Sequence, residues 1–191
     1  MTAATSPDLN TKMTERARIV WSIGDFARAG AEQVIVGELL ARAIDIHPGE
    51  RVLDVAAGSG NAALTAWTPD SVMAAIQAIA AQYAPPRPGA RSPIEWGTEA
   101  RVRELLGDGV TGLTAQVLST DMCGISPAAR VEFNRTYVGP TKALFDRLGP
   151  DAQQALAAEL ASCLGRFNRA TDGILVAPAD YLQILATRAA V

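Results

Sequence analysis

The stretch Gly49-Glu50-Arg51-Val52-Leu53-Asp54-Val55-Ala56-Ala57-Gly58-Ser59-Gly60-Asn61 decides how the rest of the chain is read. His47-Pro48-Gly49 closes the helix before it, because proline disfavours helical backbone in the residue ahead of it and glycine permits a tight turn. Residues 51–56 form a short, mostly apolar run, the pattern of a buried strand. They lead into a turn of small residues at 57–61, and a helical pattern resumes at Ala62. Glycines let a backbone approach a ligand closely, and a helix N-terminus presents unpaired N–H groups at the same point. Ligands of open α/β sheets collect at the carboxyl ends of the strands, where this turn lies. A Gly-x-Gly alone also serves plain strand–helix packing; the preceding Pro-Gly, the apolar strand and Asp54 two residues before Ala56 narrow the reading.

Outward from this stretch, the 191 residues suit one domain. With 49% hydrophobic residues the chain can bury a core, which excludes global disorder. Seventeen Lys+Arg against 20 Asp+Glu leave a net charge of −3, and no long basic run is present, which argues against a surface that holds nucleic acid by its phosphates. No apolar run reaches the ~20 residues of a membrane span, and the N-terminus lacks the basic-then-apolar layout of a secretory signal. The expectation is a cytoplasmic chain without a membrane partner, its two cysteines, Cys123 and Cys163, reduced.

Residues 1–13 are polar and expected to be flexible, ahead of a single domain over 14–191. Helices are expected over about 14–23 and 30–45, then the strand and glycine turn. Thr68-Pro69-Asp70 reads as a helix start with Thr68 as cap, and that helix runs to about Gln82. Tyr83 to Pro93 holds four prolines and reads as a stiff connector. Thr98 caps a helix ending at Gly107, residues 113–120 read as a strand, Ser126-Pro127 opens a helix to about Leu148, and Pro150-Asp151 another to about Arg169. A last strand is expected at 173–177, with Pro178-Ala179 opening a short final helix.

The central segment resembles the first motif of class I S-adenosylmethionine-dependent methyltransferases, here written Asp54-x-Ala56-x-Gly58-x-Gly60 with Ala56 in place of the first glycine. Trp21-Ser22-Ile23-Gly24-Asp25-Phe26 is similar to the segment that folds over the cofactor in one bacterial subgroup of these enzymes. Trp67-Thr68-Pro69, Trp96-Gly97-Thr98-Glu99, Phe133-Asn134-Arg135-Thr136-Tyr137 and the run 176–182 are similar to C-terminal features of that subgroup. The resemblance covers two blocks, about 14–64 and 66–188. It implies an α/β, abbreviated Rossmann-like fold with few strands and a helix-rich C-terminal part, and methyl transfer from S-adenosylmethionine to a small molecule. By the same resemblance Asp54, Ala56, Gly58, Ser59, Gly60 and Asn61 line the cofactor's amino-acid and sulfonium end, and Asp25 and Phe26 are further candidates. Such transfer is largely positioning of an in-line nucleophile, so no catalytic residue is named.

The chain departs from the family in its middle. An acid for the ribose hydroxyls belongs about 20 residues past the glycine turn, but residues 78–84 read Ala-Ile-Ala-Ala-Gln-Tyr-Ala. The missing acid also disfavours an NAD-dependent oxidoreductase. In the family the Trp-Thr-Pro feature follows the fifth strand of a seven-stranded sheet, whereas here it follows directly on the first glycine turn. Strands two to four and most of the fifth are therefore absent near Leu64-Thr65, roughly 60–90 residues at about 30 per strand–helix–strand unit. The alternative is a non-catalytic remnant, a binding scaffold whose exposed apolar surface is covered by a partner, a homodimer being the simplest. Among single residues, His47 reads as a turn residue and Cys123 as a thiol without an activating neighbour. The three tryptophans, Tyr137 and Tyr181 read as packing groups, and no His/Cys/Asp/Glu cluster has metal-ligand spacing.

Overall fold

The computed structural model describes residues 7–44 and 65–188. The strand expected at 51–56 and its glycine turn lie outside them. Among the described residues there are three strands, β1 (Thr65–Trp67), β2 (Val110–Gly124) and β3 (Leu175–Arg188), in the order β1-β3-β2 with both pairings antiparallel. Tyr181 sits at the shared rung, opposite Trp67 on one side and Leu118 on the other.

The expected strand at 113–120 is the centre of the longer β2, the one expected at 173–177 overlaps only the first three residues of β3, and the final helix at Pro178 is replaced by strand. Backbone direction explains how proline is tolerated there. Val176 donates its N–H to the Asn168 side chain at 2.8 Å and accepts from Arg169 at 2.9 Å, while the Asp180 carbonyl accepts from Thr68 at 3.0 Å. Both residues turn their backbone groups away from β2, and Pro178 between them shares that parity, so its missing N–H interrupts no β2 bond.

Alternation divides the sheet into two faces. Leu175, Ala177 and Ala179 of β3 and Met122 of β2 meet α4 (Val72–Tyr83), α6 (Pro127–Tyr137), α7 (Gly139–Phe145) and α8 (Pro150–Phe167) in the main core, with Phe145 and Leu156 fully buried. Leu182 and Ile184 face the other way and pack with Leu113 and Ala115 against Val102 and Leu106 of α5 (Glu99–Leu106). The chain is therefore a mixed α/β protein built on a small antiparallel sheet.

Local signals account for most helix ends. Thr98 caps α5 as expected, its hydroxyl accepting from the Arg101 N–H. Ser126 caps α6, with Pro127 in its first turn. The α4 cap is Ser71, not Thr68: the Ser71 hydroxyl accepts from Ala74 at 3.2 Å and donates to the Thr68 carbonyl at 2.6 Å. The expected helix over 126–148 divides into α6 and α7 at Val138, because Pro140 lacks an N–H for a continuous helix but suits the first turn of a new one.

At the N-terminal end, α1 (Pro7–Ser22) begins ahead of the expected Thr14, so part of the span expected to be flexible is helical. Proline suits that first helical position. The expected helix over 30–45 is a short α2 (Phe26–Gly30), a tight turn at Ala31–Gln33 and α3 (Val34–Ile44). Val36 and Leu40, one turn apart on α3, are buried.

Candidate functional site

Asp54, Ala56, Gly58, Ser59, Gly60 and Asn61, and His47 with them, lie outside the described residues. Asp25 and Phe26 are described and belong to a tight corner. Asp25 ends the α1–α2 link and caps α2, its Oδ1 accepting from the Arg28 N–H at 3.1 Å. The Phe26 ring meets the Trp21 ring edge-on, centroids 5.4 Å apart at 89°. The Arg28 guanidinium lies 4.7 Å from the centre of the Tyr137 ring, and Tyr137 in turn stacks at a tilt on Phe133, 4.9 Å away.

Two of the stretches singled out in the sequence, 21–26 and 133–137, therefore meet in space. Their approach depends on glycine: a side chain at Gly24 would overlap the Tyr137 carbonyl and the Gly139 backbone, and one at Gly139 would overlap the Val20 carbonyl.

Beneath the corner lies an ion pair that no sequence pattern announces. Arg130, on α6, is 8% exposed; its Nη1 reaches Glu32 Oε2 at 2.5 Å and the Cys123 carbonyl at 3.1 Å, and its guanidinium stands 5.0 Å from the Phe133 ring centre. Arg130 Nε and Asn134 Oδ1, one helical turn apart, are buried without hydrogen-bond partners among the described residues. Sequence reasoning missed Arg28, Glu32 and Arg130. Only the aromatic run that follows Arg130 on the same helix hints at a site for a stacked guanidinium.

The other singled-out stretches form a second cluster at the sheet. Trp67 packs edge-on against Tyr181 at 6.3 Å, Thr68 bonds to the Asp180 carbonyl, and Gly97 lies so close to the Trp67 carbonyl that no Cβ fits between them. Tyr181 is 2% exposed and burial pushes its hydroxyl pKa up; its Oη and Gln183 Nε2 are both buried and have no hydrogen-bond partner among the described residues. Trp67 is thus a packing group, whereas Trp21 and Trp96 are about half exposed. Cys123 is exposed and Cys163 fully buried. Among the described residues no group of three His, Cys, Asp or Glu side chains is placed to hold a metal, and no helix is long and apolar enough to cross a membrane.

Chemically, the corner at Trp21, Asp25 and Phe26 offers a solvent-accessible carboxylate beside two aromatic rings. The two rings are engaged with each other edge-on, and one Asp25 carboxylate oxygen accepts from the Arg28 N–H as the α2 cap.

No protein-family model matches the chain. It is similar to the uncharacterized protein Rv1405c of Mycobacterium tuberculosis and to the uncharacterized protein Mb1440c of Mycobacterium bovis, 29% identical to each over 232 aligned residues that take in 75% of this chain and 83% of the relative. Three quarters of 191 residues is about 143, so roughly 89 of the 232 aligned positions have no residue of this chain opposite them.

Proposed function

We propose that the chain is an S-adenosylmethionine-dependent methyltransferase-like protein, shortened in its middle, that transfers a methyl group to a small molecule. The observation that carries this reading is the order of strands around Trp67-Thr68-Pro69. A strand of only three residues, β1, runs straight into that feature, and two long strands follow it. On this reading, a seven-stranded sheet that had lost strands two to four and most of the fifth would keep such a short strand and the two long ones after it. The roughly 89 relative positions without a counterpart here agree in size with that loss.

By the resemblance Asp54 and the glycine turn receive the cofactor's amino-acid and sulfonium end, and of the further candidates the described part offers the exposed Asp25 carboxylate and the Phe26 ring packed against Trp21. When bound, the sulfonium supplies the methyl group; the protein orients the acceptor and excludes water. Residues 78–83, where the resemblance would place an acid for the ribose hydroxyls, belong to helix α4 and carry no carboxylate. Fewer contacts to the cofactor mean a weaker affinity than a complete family member has.

Calorimetric titration of the whole chain with S-adenosylmethionine and S-adenosylhomocysteine tests the reading. Saturable binding that Asp54→Ala abolishes supports it. Absence of heat and of any melting shift at millimolar ligand overturns it, because a ligand held only by the folded state must raise the melting temperature.

A second reading, a non-catalytic scaffold that dimerises, rests on a separate observation. Ile19 and Trp21 on α1, Ile23 in the link that follows it, and Val34, Ile35 and Leu39 on α3 are exposed apolar side chains. A dimer by light scattering together with silent titrations selects this reading over the first.

A further inference from the structure

A second concavity lies between α1, α4, the proline-rich connector and α7. It has a volume of about 580 Å3 and opens to solvent, within the ~300–1,000 Å3 common for small-molecule sites. Its floor is the small-residue face of α4, Ala74, Ala78 and Ala81, and its walls include Val20, Ile94 and Leu144. Among the described residues Arg16, Arg91 and Arg147 are the only charged ones that line it, and no carboxylate does. Arg91 reaches Glu95 at 3.8 Å, but the side chains of Arg16 and Arg147 have neither ion pair nor hydrogen bond among the described residues. In a chain of net charge −3, three arginines around one apolar floor form a local field of the opposite sign.

Neutral hydrogen-bonding side chains are scarce here. Gln77 and Ser92 line the concavity, and the Ser92 hydroxyl already accepts from the Ile94 N–H. A sugar or a base would find few partners on such a surface. A thin apolar body with an anionic head would lay its body on the alanine floor and its head among the guanidinium groups, which pair well with carboxylates.

We propose that this groove binds an amphipathic carboxylate, an unbranched alkyl chain ending in one carboxyl group. The site is independent of the proposed methyltransferase reading and stands or falls separately. Isothermal titration of the whole chain with decanoate, below its micelle concentration, is the test, with decanol and acetate as the uncharged body and the bare head. Saturable one-to-one binding of decanoate is expected, with decanol and acetate each roughly tenfold weaker or worse. Arg16→Ala and Arg147→Ala should each weaken decanoate by about fivefold, the upper range for a solvent-exposed charge pair. Ala78→Trp, at an exposed position on the floor, should block the groove while circular dichroism stays unchanged. Absence of saturable binding, equal affinity for decanol, or binding indifferent to both arginine variants overturns the proposal. Should Ala78→Trp perturb folding, the arginine variants and the decanol comparison decide alone.

Discussion

Arg130 shows what a single residue contributes at the candidate site. It is nearly excluded from water, yet its charge meets one carboxylate, Glu32, across 98 residues of sequence. Removing that carboxylate leaves a buried guanidinium with, among the described residues, only the Cys123 carbonyl and the Phe133 ring. Glu32→Ala should therefore cost about 1–3 kcal/mol in urea denaturation, less than for a fully buried pair because the Glu32 side chain is 39% exposed. Glu15→Ala, which breaks the exposed pair with Arg18, should cost under about 0.5 kcal/mol. Equal losses would mean that the Arg130 pair is not buried in solution. Cys163 makes a pH argument of the same kind. Burial pushes its thiol pKa up from the ordinary 9.0, opposed by the nearby Arg166. The folded state thus favours the neutral thiol. Its contribution to stability is complete below the unfolded thiol's pKa and falls away as pH rises through that value towards the raised folded one. Urea midpoints measured from pH 7 to 10 should decline, and Cys163→Ala should flatten the decline between about 8.5 and 9.5. An unchanged slope would assign the alkaline loss to other groups, Tyr181 first, whose hydroxyl is also pushed up by burial.

Elements were legible where the deciding groups are close in sequence and obscure where they are not. Thr98 and Ser126 announce their helices because a cap hydroxyl needs only the next turn. Thr68-Pro69-Asp70 carries the same signal and fails, because the Thr68 backbone is drawn into a bond with Asp180, 112 residues away, and Ser71 takes over the cap. This gives a direct comparison. Ser71→Ala removes two hydrogen bonds at a position 2% exposed and should cost about 1–2 kcal/mol, whereas Thr68→Ala loses only a long 3.4 Å contact and should cost about 0.5 kcal/mol. The reverse order in thermal or urea unfolding would restore Thr68 as the cap. Pro178 misleads by the same mechanism: a proline followed by alanine suits a helix start as well as an outward-facing strand position, and only the pairing with β2 decides between them. At the candidate site, Asp25 and Phe26 were singled out through resemblance alone, and the contact of their corner with 133–137 was not legible. Arg28 and Glu32, close to them in sequence, were not, because their partners Tyr137 and Arg130 lie about 100 residues away.

At the scale of the whole molecule, a three-residue edge strand, a long hairpin-like ribbon and two helical layers form a core that needs no parallel strand among the described residues. The sheet's helix-covered face is well filled. The N-terminal helices are not matched in the same way: α3 buries Val36 and Leu40 yet leaves Val34, Ile35 and Leu39 between 37% and 53% exposed on its remaining surface. Two apolar sides on one helix mean two neighbours, and the described residues supply one. The relatives carry roughly 89 aligned positions that this chain lacks, enough chain to provide the other. A shortened protein can replace such a neighbour with a second copy of itself, burying the same patch twice about a two-fold axis. The melting temperature should then rise with protein concentration over a hundredfold range, because a dimer that unfolds to monomers is stabilised by mass action. Ile35→Lys places a charge on the exposed side of α3, away from the Val36–Leu40 stripe. It should abolish the concentration dependence and halve the mass seen by light scattering, with the monomer still unfolding cooperatively. A melting temperature that is flat with concentration, at a monomer mass, rules out the dimer and leaves the face for a different molecule.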